Sequence, residues 1–289
     1  MEGNLQKFYE QFPNQTQKLE NGKSFTYRYY KNPNAKATLL LLTGGLGISD
    51  LLYIHFDKFS KDYSVLMFDY PLQLETIKEL IDGINELLKF LNVKVWLVGQ
   101  SLGGIIAQVF AKHYPDQVEG MVLSNTCSIP KDMKPESYNC LVEMLKSQKT
   151  FKTLLKFIPF SIVRILIKKS IKKMAKDSDN KEEQDILNDF CELNDKQLTK
   201  EFELHMINLL IDLEQHMDMT PEDFKKWDNK VLLILSEDDD TFNESCKKEL
   251  ISIMPNPTVE TKLNGGHLAL IIKCQNYIEV VSDYINKRI

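Results

Sequence analysis

The residues with the most chemical promise lie in "VWLVGQSLGGIIAQ" (95–108), where an apolar strand-like stretch runs through Gly99-Gln100-Ser101-Leu102-Gly103-Gly104 into a helical pattern. A residue at so sharp a strand-to-helix turn is pushed into a strained backbone conformation, which small neighbours such as Gly99 and Gly103 permit. The Ser101 hydroxyl would then project above the sheet as an aimed nucleophile. The same turn opens a helix whose first N–H groups lack intrahelical partners, so the Leu102 N–H is placed to donate to a developing oxyanion. A serine nucleophile needs a base, and the base needs an orienting carboxylate. "LNGGHLAL" (263–270) offers His267 behind a Gly265-Gly266 loop, and "VLLILSEDDDTF" (231–242) sets Asp238, Asp239 and Asp240 directly after a strand. A further glycine-rich stretch, Thr43-Gly44-Gly45-Leu46-Gly47, would let backbone N–H groups approach a substrate closely. It lacks the Gly-Lys-Ser/Thr ending and the GxGxxG spacing of a phosphate cradle.

These groups meet only if the intervening elements carry them to one edge. Short apolar runs recur at 37–42, 63–68, 93–98, 118–124 and 231–235, with a weaker alternating run at 258–263. Fully apolar runs of this length suit strands covered on both faces. Helix-period segments lie between several of them, such as "LETIKELIDGINELLKFL" with Ile77, Leu80, Ile81, Ile84, Leu87 and Leu88 on one stripe, and "GIIAQVFAKHY" ending before Pro115. Alternating strands and helices predict an α/β fold with a mostly parallel, doubly wound sheet. Ahead of it, "TQKLE" and "SFTYRYY" flank Asn21-Gly22, a hairpin signal. Between about 130 and 220 the patterns are helical only: "ESYNCLVEMLKS", "SIVRILIKKSIKKMAK" and "DKQLTKEFELHMINLLIDLEQ", with "KDSDNKEEQD" (176–185) the most loop-like interior stretch. The chain therefore divides into a core at 1–129, a helical cap or lid insertion at 130–220, and the rest of the core at 221–289.

At 289 residues with 43% hydrophobic content the chain buries one large core, and its net charge of −5 offers no global basic field for nucleic acid. The N-terminus lacks a cationic start followed by an apolar core, and no apolar run approaches bilayer-spanning length, which predicts a cytoplasmic protein. Cys127, Cys140, Cys191, Cys246 and Cys274 are scattered without CxxC spacing, as reduced packing residues would be. His55, His205 and His216 have no partner at metal spacing, so a metal has no support; His205 belongs to the insertion and could face a pocket, with ordinary burial the plainer reading. His113 sits at a helix C-terminus, where the helix dipole suffices to explain it. Trp96 reads as core, Trp227 as a packing anchor.

Besides the Ser101 stretch, "FDYP" (68–71), "AKHYPDQVEGMVLSNT" (111–126) and "GGH" (265–267) are similar to what members of the α/β-hydrolase superfamily carry, and the chain resembles that superfamily over nearly its whole length apart from the insertion. The chain order Ser, Asp, His is the superfamily's order. The resemblance implies Asp239 as the acid, because the family pattern G-x-x-D matches Ser236-Glu237-Asp238-Asp239 with serine in place of glycine. Asp238 is one residue of loop shift away, and Asp240 reads as a solvated turn carboxylate. It also implies a second oxyanion donor after the third core strand, where the Gly45 N–H matches best and Leu46 next, although no histidine precedes Gly44. The implied activity is serine-hydrolase cleavage of a carboxylic ester, thioester or related acyl compound through an acyl-enzyme, with no cofactor and a small-molecule acyl substrate. Relatives that open epoxides typically use an aspartate nucleophile, which Ser101 argues against. Locally, "DYP" to "SLGG" also resembles the maspardin branch, which gives a second reading: an inactive binding or scaffold protein on the same fold. Intact Ser101 and His267 argue against it.

From Lys146 to Lys176 the insertion holds ten Lys or Arg and no acidic residue. Nearly every position from Phe157 to Ile167 is apolar, and Ile167, Ile171 and Met174 form a stripe opposite Lys168, Lys169, Lys172 and Lys173. Such a helix either packs its stripe on the core and leaves the lysines in water, the favoured expectation, or contacts an anionic membrane surface.

Overall fold

Phe8 and Phe12 anchor an opening helix that sequence patterning does not anticipate, α1 (Glu2–Gln11), by packing edge-on against Phe56. The computed structural model describes residues 2–174 and 181–289. A hairpin of β1 (Gln15–Lys18) and β2 (Ser24–Tyr30) turns at Asn21-Gly22. Next come β3 (Thr38–Leu42), α2 (Tyr53–Phe59), β4 (Ser64–Met67), α3 (Ile77–Leu91), β5 (Val95–Gln100), α4 (Leu102–His113) and β6 (Val118–Ser124). Before the sheet resumes, the chain runs through α5 (Pro135–Leu154), α6 (Phe160–Met174), α7 (Lys181–Gln197) and α8 (Lys200–Asp212). It closes with β7 (Val231–Ile234), α9 (Glu244–Ile253), β8 (Thr258–Glu260), α10 (Ala269–Ile272) and α11 (Cys274–Asn286).

Among the described residues the sheet has eight strands in the order β1-β2-β4-β3-β5-β6-β7-β8. β1 and β2 are antiparallel to their neighbours, and every pairing from β4 to β8 is parallel. Both faces are covered, as the apolar runs require. Leu40 and Leu42 of β3 enter the core on one side and Leu39 and Leu41 the other; in β5, Val95 and Leu97 oppose Trp96 and Val98. This two-residue alternation within continuous apolar runs is the signature of a doubly covered parallel sheet. α3 begins at Thr76, whose side chain accepts from the Glu79 N–H, and ends at Asn92 in the left-handed conformation.

The helical segment between β6 and β7 differs from the sequence reading in two places. The pattern at 195–215 is two helices rather than one, because Thr199 is extended and its side chain caps Phe202, ending α7 and starting α8. Of the loop-like 176–185 stretch, residues 181–185 open α7, while 176–180 lie outside the described residues. Burial of Phe190, Cys191 and Leu193 at helical spacing carries that polar start into the helix.

Candidate active site

β5 delivers Ser101 to the carboxyl edge of the sheet in a strained conformation, φ 53° and ψ −120°. Such backbone costs on the order of 1–3 kcal/mol and persists only where the surroundings enforce it. Here the Ser101 N–H donates to the Ser124 carbonyl at 3.0 Å, and the Thr126 hydroxyl donates to the Ser101 carbonyl at 2.7 Å. The flanking glycines are needed for close approach: a Cβ on Gly99 would lie 2.4 Å from the Gly103 carbonyl oxygen, and one on Gly103 would lie 2.3 Å from that of Leu42.

His267 sits behind Gly265 (φ 146°) and Gly266 (φ 64°), with its ring 5.7 Å from that of Phe242. Its Nδ1 is 3.0 Å from Asp239 Oδ2, and the other Asp239 oxygen accepts from the Thr241 N–H at 2.8 Å. Burial alone would raise the Asp239 pKa; the hydrogen bond and charge of His267 and the Thr241 bonds outweigh it and hold the carboxyl below its ordinary value. Asp238 turns the other way and accepts from the Gly265 N–H at 2.9 Å, shaping the loop that carries His267. Ser236, where the family pattern has glycine, is wholly buried, its hydroxyl donating to the Leu263 carbonyl at 2.7 Å.

Two further residues hold the histidine, and patterning did not single them out. Asn125, at the end of β6 with φ 39°, donates to Ser236 Oγ and to the Gly266 carbonyl, both at 3.0 Å, and so ties three loops together. Gln100 donates to His267 Nε2 at 3.3 Å and to its carbonyl at 3.2 Å. With Nδ1–H directed to Asp239, this leaves the Nε2 lone pair as an acceptor, the tautomer a general base needs. The signal in the sequence is an asparagine directly after the run at 118–124, since asparagine is among the non-glycine residues enriched in the left-handed region that Asn125 adopts.

The loop from Thr43 to Gly47 lies across from Ser101. Tyr70 fastens it at both ends, its hydroxyl donating to the Thr43 carbonyl at 2.6 Å and its N–H to the Gly47 carbonyl at 3.3 Å. Gly45 and Leu102 line the same cavity as Ser101 and His267, and Leu102 opens α4 with a first-turn N–H free of helical partners. The cavity holds about 460 Å³, within the usual range for small-molecule sites. Its walls are mainly apolar, with Leu51, Met144, Phe151, Ile167, Met206 and Leu210 among them.

Glu203 and His267 are the ionisable side chains among the described lining residues. Burial pushes the Glu203 carboxyl up to about 7. An acid raised in the fold binds extra protons there, so the fold is unpenalised below the free value and loses stability as pH climbs through about 7. Glu203→Gln is expected to remove that loss, worth at most about 3 kcal/mol. Urea unfolding of both proteins near about pH 5 and about pH 8 checks it; an equal stability difference at the two values would refute it.

The remaining histidines lie elsewhere. His55 is buried with Nε2 on the Leu270 carbonyl at 2.9 Å, and burial lowers its pKa to about 4. His205 is off the cavity, because Glu203, Met206, Ile207 and Leu210 occupy the α8 face that lines it. His216 approaches Asp212 at 3.6 Å, and His113 is exposed in the last turn of α4. Trp96 covers Gly120 in the core, and Trp227 donates its indole N–H to the Val118 carbonyl at 3.0 Å. The cysteines are free, and burial raises those of Cys246 and Cys274 to about 12.

A doubly wound sheet with a strained serine between its central strand and the next helix defines an α/β hydrolase. The chain belongs to that superfamily: residues 71–268 match the family model described as serine aminopeptidase, S33. Solved structures with the same fold include a thermophilic esterase from Thermogutta terrifontis, at TM-score 0.73 and 14% identity over 96% of this chain and 98% of that one. An epoxide hydrolase from Bacillus megaterium superposes at TM-score 0.72 with 19% identity over 94% and 100%. A putative lipase from Acinetobacter baumannii AYE superposes at 0.66 with 20% identity over 99% and 95%. At these identities the likeness is one of fold.

Proposed function

We propose that the protein hydrolyses carboxylic esters, thioesters or related acyl compounds through an acyl-enzyme on Ser101. The observation that carries this reading is the 3.0 Å pairing of buried Asp239 with Nδ1 of His267, a histidine that lines the same mainly apolar cavity as Ser101. In the first half-reaction His267 Nε2 exchanges its Gln100 contact for Ser101 Oγ, takes the hydroxyl proton as oxygen attacks the acyl carbon, and returns it to the leaving alcohol or thiol. Asp239 fixes the ring and offsets the imidazolium charge, while the Gly45 and Leu102 N–H groups receive the oxyanion. Water, deprotonated by the same histidine, then releases the acid and restores Ser101. The esterase and putative lipase among the structural neighbours support the acyl chemistry.

A panel of aryl esters of graded acyl length tests the substrate class. Burying one methylene in an apolar site contributes about 0.8 kcal/mol, about fourfold in kcat/KM, until the chain fills the cavity. A rise of that order from acetyl to medium-chain esters is expected. No turnover of any member would overturn the reading.

A further inference from the structure

α6 carries two apolar faces where a surface helix needs one. Val163 and Ile171 are buried and Ile167 is half-buried, so the stripe expected to choose between core and membrane packs inward; the Met174 side chain lies outside the described residues. A different set is exposed. Ile162, Ile165 and Leu166, at spacings that share one helix face, are 47%, 56% and 46% exposed, and Leu154 at the end of α5 and Phe157 in the turn before α6 add to them, the latter at 79%. Of ten exposed large apolar side chains among the described residues, these five fall within thirteen consecutive positions. Clustering of this kind marks a contact surface, whereas scattered exposed apolar residues need no explanation.

The charge around the cluster names the partner. On the same outer side, α6 continues into exposed Lys169, Lys172 and Lys173, and exposed Lys156 adjoins Phe157. Lys149 is paired with Glu214 and Arg164 donates to the Leu198 carbonyl, so those two cations are engaged within the protein. The density of positive charge stands against a chain whose formal net charge is −5. Exposed apolar side chains followed by lysines suit insertion beneath a headgroup layer with cations at anionic headgroups. A protein partner would have to supply both an apolar pocket and a dense acidic rim, whereas an anionic bilayer supplies both everywhere. The surface is also continuous with the cavity: Leu166 is exposed outside and lines the cavity inside, with Ile167 and Ser170 beside it.

We infer that the outer face of α6, with Leu154 and Phe157, docks on an anionic lipid bilayer and presents the cavity mouth to it. That the docked protein draws acyl substrates from the bilayer rests on the proposed Ser101 chemistry; docking itself does not. Co-sedimentation with vesicles of phosphatidylcholine, with and without phosphatidylglycerol, separates the two. The wild type and Ser101→Ala are both expected to pellet with the anionic vesicles at low salt and at least tenfold less with phosphatidylcholine alone. High salt weakens binding, because exposed charges are screened within about 8 Å at physiological ionic strength. Phe157→Ser with Ile165→Ser, and separately Lys169→Gln with Lys172→Gln and Lys173→Gln, each lower vesicle affinity more than tenfold while turnover of a soluble short-chain ester is unchanged. Failure of the wild type to bind anionic vesicles at low salt overturns the inference, as does undiminished binding by both variants. A wild-type dimer in solution that Phe157→Ser with Ile165→Ser converts to monomer also overturns it, by assigning the face to a second copy of this chain.

Discussion

Ser101→Ala is expected to lower kcat on acyl esters by about a millionfold and to abolish covalent labelling by a fluorophosphonate. Losses of that order follow removal of a serine nucleophile, because the histidine and acid then have nothing to activate, and what remains over water comes from the oxyanion donors and binding. The substitution should leave the fold intact. Alanine retains the Ser101 backbone bonds to Ser124 and Thr126, and it relieves no packing that Gly99 and Gly103 were needed to permit. A melting transition within a few degrees of wild type would verify this. Unchanged turnover in the folded variant would refute the mechanism. A wild type that neither labels nor turns over any ester would favour a binding or scaffold role on the same fold.

The second large effect separates neighbouring carboxylates. Asp239→Asn is expected to reduce kcat by about ten-thousandfold, since an amide at this position donates to Nδ1, forces the proton to Nε2 and no longer offsets the imidazolium charge. Asp239 is positioned for that role by its 3.0 Å contact with His267 and by the Thr241 N–H on its second oxygen. Because its pKa lies below the ordinary carboxylate value, it stays ionised throughout the neutral range. Asp238→Asn keeps an oxygen able to accept from the Gly265 N–H, so its effect should stay within several-fold. Asp240→Asn should be similarly mild. Steady-state kinetics and pH profiles of the three variants check this. A severe loss in Asp238→Asn with a mild one in Asp239→Asn would transfer the role to the neighbouring carboxylate.

What could be read from the sequence is what depends on local constraint. The strands at 38–42, 95–100 and 118–124 follow from apolar runs that must be covered on both faces, and the turn at Ser101 follows from glycines whose Cβ atoms would strike neighbouring carbonyls. Local patterning could not see α1, because a mostly polar helix held by Phe8 and Phe12 depends on Phe56 more than forty residues away. Nor could it place the break at Thr199, where a continuous helical period gives way to a cap.

Distances between loops lay wholly beyond the sequence. Three adjacent aspartates are equivalent as letters, and it is the close of β7, tied through Ser236 and Asn125, that turns Asp239 toward His267 and Asp238 toward Gly265. Gln100 and Glu203 gained their places for the same reason: the side chain of one reaches His267 across the sheet edge, and the other is carried into the cavity by the rotation of α8. In α6 the sequence determined an apolar and cationic composition, but which apolar residues face water was decided by packing, because a helix apolar on two sides can bury only the one that meets the core.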